Sequence, residues 1–296
     1  MNQKILTIAI PTYNRLDAIK KQIGLLLPQL NEYVDLVVYD NCSEPSVASV
    51  FSEEQKRQFK IIRNKVNVGA DANIARCFEH CETKWLWTLS DDDFVRDESI
   101  VYLLSILESK GDNVFFNFQP GLSFRSQGFE EFSLKFRDPN VFSSSFTMSS
   151  CVYNIDELKH SLIDYYVDLS SMVGTIILVL KYLQRNDHAK CEFIDVSLID
   201  DYNTEVGWDY RKFVRRSMLF VDTFRNSSSK KFNHTLFLGY FLTNYWLIKN
   251  NRNKLPVSKG ERLDLLYANM RKQGIINAVR YCPRTVIRTI VDIIFK

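Results

Sequence analysis

Four apolar runs in the first third of the chain each stop at a cluster of polar, hydrogen-bonding residues. Ile5-Leu6-Thr7-Ile8-Ala9-Ile10 reads as a strand buried on both faces, and it runs into the turn Pro11-Thr12-Tyr13-Asn14-Arg15. Beyond the turn, Ile19, Ile23, Leu26 and Leu27 keep helical spacing. Val34 to Tyr39 is a second strand and stops at Asp40-Asn41-Cys42-Ser43. Phe59-Lys60-Ile61-Ile62-Arg63 leads into Asn67-Val68-Gly69-Ala70-Asp71-Ala72-Asn73 and then a helix through Cys81. Trp85-Leu86-Trp87-Thr88-Leu89 ends at Ser90-Asp91-Asp92-Asp93, with a further helix starting near Asp97. Strands alternating with helical segments predict an α/β fold built on a parallel sheet.

Open α/β sheets bind ligands beyond the carboxyl ends of their strands, which is where these polar clusters fall. Carboxylate oxygens suit hard cations that carry phosphates, so Asp91 and Asp93 are placed to straddle Mg²⁺ or Mn²⁺ on a diphosphate. Alone, the aspartates read equally as an acidic turn before a helix. Three further strand ends of the same kind favour a nucleotide site.

The segments Thr7 to Arg15, Val37 to Ser43, Asn67-Val68-Gly69 and Leu89 to Asp93, in this order and spacing, resemble the nucleotide-sugar glycosyltransferases of family 2, which have the GT-A fold. The likeness covers roughly the first hundred residues; farther on, the chain looks like the branch that builds bacterial O-antigen and capsule repeats, including abequosyltransferase-like proteins. The resemblance implies a Rossmann-like nucleotide-sugar-binding sheet flanked by helices, with a mainly helical C-terminal region. It implies an inverting, metal-dependent transfer from a UDP- or dTDP-type sugar to a glycan or lipid-linked glycan. In that picture Asp40 accepts a hydrogen bond from the base imide, and Pro11, Thr12, Tyr13, Asn14 and Arg15 wrap base and ribose. Asn41, Ser43, Gly69 and Asn73 complete the nucleotide site, Asp91 and Asp92 meet the ribose or the metal shell, and Asp91 and Asp93 frame the metal. Asp71 and Asn73 read equally well as helix caps.

Inverting members carry an acidic residue at the start of a helix in the acceptor half to take the acceptor proton. Here the helix expected from Gly174 to Leu183 opens with Gly-Thr instead. Asp168 is the first candidate for the base and Asp164 the second, with the pair Asp200-Asp201, after a strand-like run from Phe193 to Ile199, as the other choice.

At 296 residues, 46% hydrophobic and 13% aromatic, the chain can bury a sizeable core and is not disordered. The turn at Arg137-Asp138-Pro139-Asn140 and the polar stretch Asn226 to Lys231 divide it into a donor portion (1–137), an acceptor portion (138–228) and a helical tail (229–296). Six cysteines without a regular framework, and no leader before the first strand, lead us to expect a reduced, cytoplasmic protein. Cys77, His80 and Cys81 share a helix but lack a fourth zinc ligand.

The net charge of +3 conceals a division. Lys249 to Lys296 holds eleven Lys or Arg against three acids, a net +8, which leaves −5 for residues 1–248. Pro283 to Lys296 sets Val286, Ile287, Ile290, Val291 and Ile294 on one helical face and Arg284 and Arg288 on another. That pattern fits peripheral contact with an anionic membrane surface, and equally an amphipathic helix docked on its own domain. Nucleic acid is not an expected partner, since no reader motif accompanies the basic tail. The alternatives to transfer are a catalytically inactive nucleotide-sugar-binding module and a nucleotidyltransferase, although the first turn lacks the glycines of a phosphate loop.

Overall fold

The computed structural model describes residues 3–200 and 210–224, together with positions 287 and 291. In chain order the strands are β1 (Leu6–Thr12), β2 (Val34–Asp40), β3 (Lys60–Arg63), β4 (Trp85–Thr88), β5 (Asn113–Phe118), β6 (Phe124–Gln127), β7 (Cys151–Asn154) and β8 (Lys190–Ile194). The helices of the first half are α1 (Leu16–Leu26), α2 (Glu53–Lys56), α3 (Ala70–Glu79) and α4 (Ser99–Ser109). They are followed by α5 (Gly128–Lys135), α6 (Pro139–Ser144), α7 (Ile155–Leu158), α8 (Leu162–Val167), α9 (Gly174–Arg185), α10 (Tyr210–Arg216) and α11 (Met218–Phe224).

All eight strands form one sheet in the order β3-β2-β1-β4-β7-β5-β8-β6. β1, β2, β3 and β4 are mutually parallel, as helix-connected strands require. β7 runs antiparallel between β4 and β5, so β5 again points the same way as β4; β8 is parallel to β5, and β6 is the antiparallel edge.

Side-chain alternation splits the apolar residues between two layers. Leu6, Ile8 and Ile10 of β1, Leu36 and Val38 of β2, and Trp85 and Trp87 of β4 face one layer, which α1 closes with Ile19, Ile23 and Leu26. Ala9, Val37, Tyr39 and Leu86 face the other, under Ala75 and Phe78 of α3 and the apolar stripe of α9. Burial on both faces explains why β1, β2 and β4 read as continuous apolar runs.

The turn at Asp138, expected to separate two portions, is the N-cap of α6: the Asp138 carboxylate accepts the Asn140 N–H at 2.8 Å. The strands that follow, β7 and β8, enter the same sheet as those before it. The strand expected over Phe193 to Ile199 instead starts at Lys190 and ends at Ile194, because the chain turns at Asp195, whose carboxylate accepts the Gly121 N–H at 2.6 Å. Only a single bridge, Val95 to Ile199, continues it. The tail lies outside the described residues, except that Ile287 and Val291 are helical and exposed. No helix among the described residues is long and apolar enough to cross a membrane.

Candidate active site

The ends of β1, β2 and β4 lie side by side, Thr12 in register with Asp40 and the Leu89 N–H bonded to the Ala9 carbonyl at 3.0 Å. The Thr12 hydroxyl donates to Asp91 Oδ2 at 2.6 Å, joining the first strand end to the aspartate loop. Arg15 reaches across the same gap, its Nη1 donating to Asp91 Oδ1 at 3.0 Å and also to Asp92. Asp91 is buried, and that desolvation raises its carboxyl pKa above the ordinary aspartate value although Thr12 and Arg15 oppose the shift.

Asp93 is oriented from the far side of the site. Ser149, just before β7, donates its hydroxyl to Asp93 Oδ2 at 2.6 Å and accepts the Ser90 N–H at 3.0 Å. Its carbonyl receives the indole N–H of Trp87 at 2.9 Å, which satisfies that buried donor. On the near side Gln22 of α1, fully buried, donates to the carbonyls of Ser90 and Asp93 and accepts the Val95 N–H. Neither Gln22 nor Ser149 was among the residues expected at the site. Gln22 had a signal, a polar residue within the buried stripe of Ile19, Ile23 and Leu26; Ser149 had none, since it is 56 residues from the carboxylate it holds.

The donor set is oxygen only, which fits Mg²⁺ or Mn²⁺. Among the described residues no three metal-binding side chains converge on one point. Two carboxylates, with phosphate oxygens of a ligand completing the shell, are the arrangement that Asp91 and Asp93 can supply.

The second strand end differs from expectation. Asp40 has no exposed surface, and both its oxygens are taken: Oδ1 accepts the Ser43 N–H at 2.8 Å, and Oδ2 accepts the Val47 N–H at 3.2 Å and Arg63 Nη1 at 2.7 Å. Burial works to raise its pKa, but these hydrogen bonds outweigh burial and hold it below the ordinary value. The carboxylate expected to meet the base imide closes its own loop instead.

Asn41 is likewise internal. It donates to Asn67 at 2.8 Å and accepts from Asn64 Nδ2 and the Val68 N–H at 2.9 and 3.0 Å. Asn64 also donates to Asn73, which in turn donates to the Tyr39 carbonyl at 2.9 Å. This amide network ties the β2 and β3 ends to α3, with Gly69 at the helix N-cap in the left half of backbone space that favours glycine, φ +86°. Asp71 of α3 is 3.6 Å from Arg216 of α10. Ser43 accepts the Asn14 N–H at 2.9 Å, which fixes the first turn and leaves Tyr13 exposed at its tip beside the half-buried Pro11.

Asp164 and Asp168 both pair with cations of α9. Asp168 lies 3.4 Å from Lys181 and accepts the Thr223 hydroxyl at 2.9 Å; Asp164 pairs with Lys181 at 3.7 Å and with Arg185. These cations sit in the second half of α9, about 10 Å along the axis from its first turn. The start of α9 carries Gly174 for a steric reason: a Cβ there would stand 2.4 Å from the Tyr165 ring of α8. The Asp200 backbone is tied to the segment directly after the aspartates, its N–H bonded to the Phe94 carbonyl at 2.8 Å, while its exposed carboxylate lies 3.7 Å from Arg96. Asp201 lies outside the described residues.

Comparison with known proteins bears on the family and the fold. Residues 7–133 match the model of Glycosyl transferase family 2. An uncharacterized glycosyltransferase of Haemophilus influenzae is 27% identical over 116 residues, 39% of this chain and 38% of that protein, so the match spans well under half of the relative. The crystal structure of S. aureus TarS 1–349 superposes with a TM-score of 0.64 at 14% identity, covering 98% of this chain and 90% of that one. Its complex with UDP-GlcNAc gives 0.61 at 13% identity, covering 98% and 90%. The mannosyltransferase PcManGT of Pyrobaculum calidifontis with GDP-Man and Mn²⁺ gives 0.56 at 12%, covering 94% and 88%. Residues 7–133 thus match the Glycosyl transferase family 2 model, and the chain shares the mixed α/β fold of these solved GT-A glycosyltransferases.

Proposed function

We propose that the chain transfers a sugar from a nucleoside-diphosphate donor of UDP or dTDP type to a glycan or lipid-linked glycan acceptor, with inversion, in the building of a bacterial surface polysaccharide of the O-antigen or capsule kind, on an abequosyltransferase-like branch. The observation that carries this is the joining of the β1 and β4 ends through Thr12, Arg15 and Asp91, with Asp93 oriented beside them by Ser149. It sets carboxylates and one guanidinium where a diphosphate ends a parallel sheet. The relatives solved with UDP-GlcNAc and with GDP-Man and Mn²⁺ support a nucleotide-sugar donor and a divalent ion.

Asp91 and Asp93 would hold Mg²⁺ or Mn²⁺, which would supply positive charge to offset the charge of a departing diphosphate. Arg15 is the chain's own cation at that position and stays within reach of the leaving group. Tyr13, at the exposed tip of the first turn, covers the base. The acceptor hydroxyl loses its proton to Asp200 or Asp201; Asp200 directly follows Ile199, which bridges Val95 beside the aspartate loop. The chain works in the cytoplasm, at the inner face of the membrane, through its basic tail, in which Ile287 and Val291 face solvent.

Calorimetry with UDP, dTDP and GDP, each with and without Mn²⁺, tests the reading. Tight binding of a uracil or thymine diphosphate that depends on Mn²⁺ is expected, and absence of binding by all three removes it. Deleting residues 283–296 tests the tail: unchanged co-sedimentation with anionic vesicles eliminates the membrane contact.

A further inference from the structure

A cleft of about 430 Å³ opens at the carboxyl end of β5, between the turn at Gln119–Leu122 and helix α6. Because β5 runs parallel to β4 across β7, this cleft and the aspartate loop share one edge of the sheet. A larger cavity of about 690 Å³, walled by Ile5, Tyr33, Trp85 and Leu104, lies at the amino ends of β1 and β4. It is on the opposite edge and has no access to the carboxylates.

The chemistry of the cleft is specific. Its volume falls in the range of small-molecule sites. Among the described residues no Lys, Arg or His lines it and the one charged wall group is Asp138, while Asp195 stands behind the Gly121 N–H at 2.6 Å. A phosphate or carboxylate ligand would meet only negative charge there. The hydroxyls of Ser143 and Thr147 donate to the carbonyls of Asn140 and Ser143 at 3.2 and 3.1 Å. With their single protons committed, both oxygens present lone pairs, so they accept hydrogen bonds from a ligand rich in O–H groups. Gln119 and Asn140 add amide groups, and Leu122 adds an apolar wall. A pyranose ring has this pairing of hydroxyl edges and a C–H face.

The cleft is also mechanically continuous with the aspartates. Thr147 of its wall precedes Ser149 by two residues, a span of at most about 7 Å, and Ser149 holds Asp93 at 2.6 Å. In addition, the Met148 carbonyl between them accepts the Thr88 hydroxyl at the end of β4, at 3.2 Å.

We propose that this cleft binds a neutral sugar ring of the acceptor, with Asn140, Ser143 and Thr147 as the residues that select it. The proposal rests on the transferase reading above and adds the acceptor's position and class.

The test is saturation-transfer NMR on the full chain with UDP and Mn²⁺, using the methyl glycosides of glucose, galactose, mannose and N-acetylglucosamine, with inorganic phosphate as the charged control. At least one glycoside is expected to receive saturation from the wild type and to lose it in Asn140→Trp and in Ser143→Phe, which fill the cleft from its rim. UDP affinity by calorimetry should be unchanged in both variants, and their melting curves report whether each is folded. Silence from all four glycosides on the wild type, survival of the signal in a folded variant, or binding of phosphate alone overturns the proposal. Failure of UDP, dTDP and GDP alike to bind the wild type removes the transferase reading separately, whatever the glycosides do.

Discussion

The side-chain amide of Gln22 is bonded to the backbone of Asp93, Nε2 to carbonyl oxygen at 2.8 Å, across 71 residues of chain. Together with its bonds to Ser90 and Val95, this makes helix α1 the mount on which the aspartate loop is fixed.

Replacing Gln22 with Leu keeps the volume of the buried stripe but leaves two loop carbonyls and one N–H without that partner. We expect a loss of about 1–3 kcal/mol in stability, read from denaturant unfolding. Metal-dependent UDP affinity should fall as well, since the loop loses its orientation. A variant with wild-type affinity would show that Ser149 alone orients Asp93.

Asp91 offers a test in which stability and binding move apart. Its folded-state pKa is raised, so its ionised form is disfavoured in the folded chain: the associated stability is present below the unfolded value of 3.8 and lost as pH rises through the folded pKa. Asp91→Asn removes that penalty. We expect it to melt no lower than wild type at pH 7, with its advantage shrinking as the pH is lowered toward 4, while Mn²⁺-dependent UDP binding disappears. Asp93→Ala should lose the same binding without the pH-dependent gain. Full Mn²⁺ dependence in both variants would move the metal elsewhere.

Asp40 has the opposite sign. Its folded pKa is lowered, so its contribution is present above the unfolded value and lost as pH falls through the folded one. Asp40→Ala leaves Arg63 and the Ser43 and Val47 N–H groups without that acceptor, and the unsatisfied N–H groups should cost about 1–3 kcal/mol at pH 7. The gap from wild type should close in acid, below the ordinary aspartate range. A variant of wild-type stability with weakened UDP binding would restore Asp40 to the base.

The assignment of the proton acceptor is decided by comparing three variants. Asp200→Asn or Asp201→Asn should lower transfer by about 10²–10⁴-fold with donor affinity unchanged. Asp168→Asn should instead lower the melting temperature through its broken contact with Lys181 and leave turnover per folded molecule intact. The reverse pattern returns the role to α8.

The strands β1, β2 and β4 were legible because each is buried on two faces and leaves a continuous apolar run, and the polar residues at their ends marked the site. The sheet order beyond β4 was not, because the antiparallel entry of β7 is set by tertiary pairing and leaves no local period. Thr12, Arg15 and Asp91, far apart in sequence, are brought together by the fold. Asp40 shows the limit of such reading: a carboxylate at a strand end satisfies either a ligand or its own loop, and only the positions of Val47 and Arg63 distinguish the two.

β7 lies between β4 and β5, although the chain makes it long after both. A polypeptide severed at residue 137 therefore yields an amino-terminal piece whose sheet has two unfilled slots, one between Trp85 to Trp87 and Phe115 to Asn117 where β7 belongs, the other between β5 and β6 where β8 belongs. Each slot is a template for its missing strand. The two pieces, expressed separately, are expected to reassemble by insertion of the second into the first, and neither alone carries both Asp93 and the serine that orients it.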